Sequence, residues 1–108
     1  MGEIKISLFH DWRKSVVESS KIELLKAEGR YSLLSIKKEE VFSDKSISEW
    51  EQELGELNFF RVHKSYLVNL KYIDQIGDML VLKNGVKIPL ARRRKKEFEE
   101  KYKEYIIR

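Results

Sequence analysis

Apolar residues recur at every second position along the first part of the chain, at Ile4, Ile6 and Leu8, again at Ile22 and Leu24, and at Leu34 and Ile36. A period of two places successive apolar side chains on one face of an extended backbone, which predicts half-buried antiparallel strands. Glu28-Gly29 interrupts the run between residues 22–27 and 31–37, so these two stretches are expected to form a hairpin with Arg30 and Tyr31 at its exposed tip. Val41-Phe42 ends at Ser43-Asp44, and Ser46-Ile47-Ser48-Glu49 then has capping-box spacing. In that arrangement the serine hydroxyl and the glutamate carboxylate each satisfy a backbone donor, and a short helix begins. Ile47, Trp50 and Leu54 fall on one helical face, which assigns Trp50 to the core, and Gly55 is expected to close the helix in the left-handed conformation.

From Asn58 the pattern returns to short β-favouring runs, residues 59–62, 67–70, 72–76 and 79–82. Asn84-Gly85 predicts a two-residue hairpin turn with positive φ at both positions, and Pro89 assigns the returning strand to a sheet edge or its end. Beyond Arg92 the period changes. Phe98, Tyr102, Tyr105 and Ile106 recur at helical spacing and predict an amphipathic C-terminal helix whose aromatic stripe packs on the sheet. The expected fold is mostly β with one short internal helix and this terminal helix.

A chain of 108 residues with 42% hydrophobic content fits a single domain, assigned to residues 1–108. Its apolar stretches, such as residues 66–70 and 79–82, fall far short of the ~20 residues of a membrane span, and no signal-peptide pattern opens it. A soluble, cytoplasmic protein without membrane association is therefore expected. With no cysteine, and only His10 and His63 as histidines, neither a metal site nor any other cofactor is expected. Catalysis is not expected either. The five glycines form no phosphate-cradling motif, the carboxylates lie mostly in mixed-charge helical segments, and the pair His63 and Ser65 has no third group to orient it.

Charge is distributed unevenly: residues 1–57 carry 9 Lys and Arg against 12 Asp and Glu, and residues 58–108 carry 13 against 6. A basic half suggests a polyanionic partner, although a solvated charged face is the ordinary explanation. Two segments sharpen the suggestion. Arg92-Arg93-Arg94-Lys95-Lys96 opens the terminal helix, where cations oppose the helix dipole at roughly 0.3–1 kcal/mol each, so something other than helix stability favours them there. A phosphate backbone would do so, and an arginine fork also matches guanine O6 and N7. The second segment, Arg61 to Tyr66, is expected to form an inter-strand turn carrying donors and an aromatic, with His63 hydrogen-bonded beneath it.

These segments lie within a longer pattern. FFRVHKSYLVNLKYIDQI from Phe59 to Ile76 and VLKNGVKIPLARRRKKEF from Val81 to Phe98 resemble the LytTR DNA-binding domain of bacterial LytR/AlgR-type response regulators. The aromatic-arginine-x-His-basic-Ser-aromatic core, Asn69, the pair Tyr72-Ile73, the glycine turn and the basic segment carry the resemblance. LLKAEGRYSLL from Leu24 to Leu34 is similar to the family's earlier hairpin, so the resemblance covers about residues 20–106 and leaves 1–19 as an N-terminal strand region.

What the resemblance implies is an elongated set of small antiparallel sheets that binds double-stranded DNA through three loops, as the output domain of a two-component regulator of transcription. Carried over by position, Tyr31 with Arg30 occupies the first contact loop, Lys64 the base-reading position of the second, and Arg92 that of the third. Arg61, Ser65 and Arg93 are assigned to phosphates. Family members often have Arg or Asn at the position of Lys64 and Ser at that of Ala91. A homodimer on paired half-sites and a receiver domain upstream are further expectations from the family. Two other readings remain beside this one: a protein-interaction module whose basic face docks an acidic partner, and an RNA binder, against which the core-like spacing of the aromatics speaks.

Overall fold

The computed structural model describes residues 4–10 and 13–107; the side chains of residues 9, 10 and 13, with them the imidazole of His10, lie outside this description. Ten strands form three antiparallel sheets, and two helices complete the fold. Strands β1 (Lys5–His10) and β2 (Arg13–Glu18) make a hairpin, with Ile6 opposite Val17 and Leu8 opposite Ser15. The central sheet contains β3 (Ile22–Glu28), β4 (Tyr31–Ile36), β5 (Glu39–Ser43), β6 (Phe59–His63) and β7 (Tyr66–Asn69), in the order β5-β4-β3-β7-β6. The third sheet is a meander of β8 (Ile73–Ile76), β9 (Met79–Leu82) and β10 (Lys87–Pro89). Helix α1 (Ile47–Leu54) links β5 to β6, and α2 (Lys95–Ile106) ends the described chain.

The central sheet divides two apolar cores. On one face Ile22, Leu25, Leu34, Phe59 and Leu67 pack with Ile6 and Leu8 of the first hairpin and with Ile47, Trp50 and Leu54 of α1. On the other, Leu24, Phe60, Val62 and Val68 pack with Leu80, Leu82 and Ile88 of the meander and Phe98 of α2. The expected alternation at Ile22 and Leu24 is therefore broken: a register shift between Ile22 and Leu24 sends them to opposite cores and joins Ile22 to Leu25. Burial on both faces replaces the expected half-burial for β3, and β7 is buried on both faces too, because each central strand is covered by a layer on either side.

Most elements follow the sequence reading. Ser46 Oγ accepts from Glu49 N at 3.2 Å and Glu49 Oε1 accepts from Ser46 N at 2.9 Å, completing the capping box; these bonds hold the Glu49 carboxyl below its ordinary pKa. Trp50 is buried and its indole N–H donates to Ser43 Oγ at 3.0 Å. Pro89 is the last residue of the edge strand β10.

Four details differ. Gly55 has φ −64°, an ordinary helical value, so it does not close α1 in the left-handed conformation; a Cβ there would meet the Glu51 carbonyl oxygen at 2.6 Å, and close approach explains the glycine instead. The Asn84-Gly85 turn is not a two-residue hairpin. Val81 pairs with Lys87 and Leu82 N donates to Val86 O at 2.9 Å, which leaves a three-residue loop in which Gly85 alone takes positive φ, at 91°. Arg92–Arg94 form a separate 3-10 turn ahead of α2. On α2, Phe98 is buried and Tyr102 and Tyr105 are half-buried, whereas Ile106 is exposed.

Asn69 joins the layers at the end of β7: its Nδ2 donates to Ile22 O at 2.9 Å and its Oδ1 accepts from Lys71 N at 3.1 Å, with the side chain buried. Substituting Asn69 by Ala leaves the buried Ile22 carbonyl and the partly buried Lys71 N–H without this partner, the buried group costing about 1–3 kcal/mol. Equilibrium urea unfolding of N69A is expected to show a stability loss in that range with an unchanged denaturant slope; a loss below about 0.5 kcal/mol contradicts the assignment.

Candidate nucleic-acid interface

The topology brings three turns to one end of the central sheet. Strands β3 and β7 are antiparallel neighbours, with Lys26 opposite Tyr66, so the Gly29-Arg30 turn after β3 lies beside the Lys64-Ser65 turn before β7. Ala27 N donates to Ser65 O at 2.8 Å and ties the two together. The third segment is fastened to β6: Ala91 N donates to Val62 O at 2.8 Å, and Arg94 Nη1 donates to Arg61 O at 3.2 Å. The second turn therefore sits between the first and the third. With strands about 4.8 Å apart, the first two turn centres are separated by two strand spacings, about 10 Å.

Each turn has its own local cause. Gly29 has φ 62°, which lets the backbone reverse directly after Glu28. Arg30 follows, its guanidinium carbon 5.7 Å from the centroid of the Tyr31 ring, and Tyr31 in turn packs tilted on Phe42 at 5.2 Å. Tyr31 is thus partly anchored and still 38% exposed. In the second turn His63 Nδ1 accepts from Ser65 N at 3.1 Å and its ring packs against Tyr66 at 5.7 Å. The imidazole therefore supports the turn through the backbone of Ser65, not through its hydroxyl, and no nucleophile–base pair is formed.

Arg61 is turned inward. Its Nε donates to Lys64 O at 3.2 Å and its Nη2 to the same oxygen, while Nη1 donates to Glu51 Oε1 at 2.9 Å and to Ser48 Oγ at 3.1 Å. The side chain is only 14% exposed. All three guanidinium nitrogens are engaged in bracing the Lys64 carbonyl against α1. Sequence alone conceals this, since the partners Ser48 and Glu51 lie on a preceding helix.

The basic run divides in the same way. Arg94 is half-buried and clamps the Arg61 carbonyl, while Arg92, Arg93, Lys95 and Lys96 are exposed. Lys64 is exposed at the tip of the second turn and Ser65 beside it is half-buried. The rim thus presents Arg30, Lys64, Arg92 and Arg93 as outward cations. Among the described residues no group of three His, Cys, Asp or Glu side chains is placed to hold a metal ion, and no helix is long and apolar enough to cross a membrane.

Sequence reasoning missed one participant. A cleft of about 380 Å³ beside the third segment is lined by Leu90, Arg92 and Lys95 together with Gly77 and Asp78 from the turn between β8 and β9. The signal was available: successive turns of an antiparallel meander lie at opposite ends, so a turn at Asn84-Gly85 implies the other at Gly77-Asp78.

Comparison with known proteins places this geometry in context. A family model described as the LytTr DNA-binding domain matches residues 13–103. Transcriptional regulatory protein LytR of Staphylococcus aureus (strain N315) is 32% identical over 59 residues, which covers 49% of this chain and 24% of that protein. Sensory transduction protein LytT of Bacillus subtilis (strain 168) is 38% identical over 56 residues, 46% of this chain and 23% of the relative. The match thus spans about a quarter of these relatives. A solved structure titled LytTr DNA-binding domain of putative methyl-accepting/DNA response regulator, from Bacillus cereus, superposes with a TM-score of 0.79 over 90% of this chain and 94% of its own, at 22% identity, and so shares the fold.

Substituting Arg61 by Lys keeps one charge but removes the fork that bridges Lys64 O, Ser48 and Glu51. R61K is expected to lose about 1–3 kcal/mol of stability in urea titration, with faster amide exchange at Lys64 and Ser65. Unchanged exchange at that turn contradicts the bracing role.

Proposed function

The chain belongs to the LytTR DNA-binding domain family, and from that premise we propose that the three-turn rim is its duplex-DNA contact surface, serving transcription regulation without catalysis. One observation carries the reading. Three separately encoded basic turns are fastened together at one end of the sheet by the backbone bonds Ala27 N to Ser65 O and Ala91 N to Val62 O and by the Arg94 side chain on Arg61 O, where they present to a partner as one surface.

In this reading Lys64 and Arg92 read base edges, the Arg30-Tyr31 tip makes the first contact, and Ser65 and Arg93 hold phosphates. Arg61 acts through Lys64, as a positioning residue whose fork sets the second turn. The separation of about 10 Å between neighbouring turns is comparable to the ~12 Å width of a major groove, so adjacent turns can reach bases and the flanking backbone at once. Lys64 offers a compact ammonium in place of a bidentate fork, so it donates to guanine O6 or N7 singly and discriminates less sharply than an arginine would. Arg92 keeps the fork and is the stronger specificity contact.

One relative is named a transcriptional regulatory protein and another a sensory transduction protein, which supports the proposal that this domain is the output part of a response regulator, acting in the cytoplasm and joined to a receiver domain in the whole protein. Selection of duplexes from a random pool identifies the preferred site. An enriched pair of spaced half-sites indicates a homodimer or two copies on DNA, and a single motif indicates one.

On the selected duplex R92A is expected to lose ~1–3 kcal/mol of binding free energy and to relax preference at one position, whereas R93A weakens selected and random duplex alike. Log affinity of the unsubstituted protein falls linearly with log salt, by about 0.9 per neutralised phosphate. No duplex binding at low salt contradicts the proposal and favours a docking surface for an acidic protein.

A further inference from the structure

The rim contains one acidic turn among its basic ones. Between β8 and β9 the chain reverses at Gly77-Asp78, where Gly77 N donates to Met79 O at 3.1 Å. The other turn of the same meander lies at the far end of the molecule, where Asn84 Nδ2 donates to Glu23 Oε1 at 2.7 Å and Asn84 shares a hollow with Lys37, Lys38, Glu39 and Glu40. Asp78 is exposed and lines the same cleft as Arg92 and Lys95.

We propose that Asp78 is a specificity-determining residue of the DNA-binding surface, whose carboxylate lowers the hold on phosphates while leaving the base contact of Arg92 intact. This inference rests on the duplex-binding reading above. A carboxylate that lines one cleft with Arg92 and Lys95 partly cancels the positive potential that they project. That potential attracts any polyanion over roughly 8–10 Å, the Debye length near physiological salt. A guanidinium–guanine contact depends instead on short, directed hydrogen bonds. The cancellation therefore falls mainly on sequence-independent binding. Random duplex loses more than the preferred site, and the ratio between them widens.

The test compares the unsubstituted domain with D78N, which keeps the shape of the side chain and removes its charge, and with E40Q, which changes net charge equally at the opposite end. Affinities are measured on the duplex recovered by selection and on a random duplex, across a salt series. For D78N, affinity for random duplex is expected to rise about 3–10-fold with a salt slope steeper by about one unit, while affinity for the selected duplex changes less than about twofold. E40Q leaves the ratio of the two affinities unchanged. An equal rise on both duplexes, no change on either, or the same shift in E40Q overturns the role of Asp78 while the duplex-binding reading stands. If the unsubstituted protein binds no duplex, or selection recovers no preferred sequence, the reading and the inference built on it fall together.

Discussion

Adjacent apolar pairs in the two central strands, Leu24-Leu25 in β3 and Leu67-Val68 in β7, are the constraint on which the rest of the molecule depends. Neighbouring residues on a strand face opposite ways, so each pair demands cover on both faces of the sheet. Burial of such side chains contributes about 1.5–3 kcal/mol apiece. The β1–β2 hairpin and α1 supply one cover, and the meander and α2 supply the other. A sheet enclosed in this way leaves its strand ends as the accessible part of its middle, and the turns at one end are those that carry the cations.

Rigidity follows from the same arrangement. The first two turns join strands that pair directly with each other, and the third is secured by the carbonyls of Arg61 and Val62 at the margin of the sheet. Three turns held in this way lose little conformational entropy if a ligand engages them. The supporting side chains, Arg61, His63 and Arg94, point toward the protein, so the basic segments separate into residues that build the surface and residues that face outward from it.

The sequence made much of this legible. Alternation found β1, β3 and β4; the capping box found the start of α1; helical spacing found the aromatic face of α2. Strand β2 was hidden because Val16 and Val17 are its only large apolar residues in a charged stretch and Val16 is 60% exposed. The bulge in β3 was hidden because period counting assumes a regular strand. At Gly55 and Asn84-Gly85 the residue type allowed more than one backbone conformation, and packing and register decided between them. The inward turn of Arg61 depends on α1, distant in sequence and adjacent in space. Asp78 is legible from the meander's order of turns, since the runs 72–76 and 79–82 and the turn at Asn84-Gly85 place Gly77-Asp78 at the other end.

The central claim is that these three turns act together as one DNA-contacting edge. Amide chemical-shift mapping during titration with the selected duplex tests it most directly. The account predicts the largest perturbations at residues 29–31, 64–65 and 91–95, saturating together at one stoichiometry. Perturbations centred on residues 37–40 and 84–86 at the opposite end, or on the β1–β2 hairpin, would contradict it.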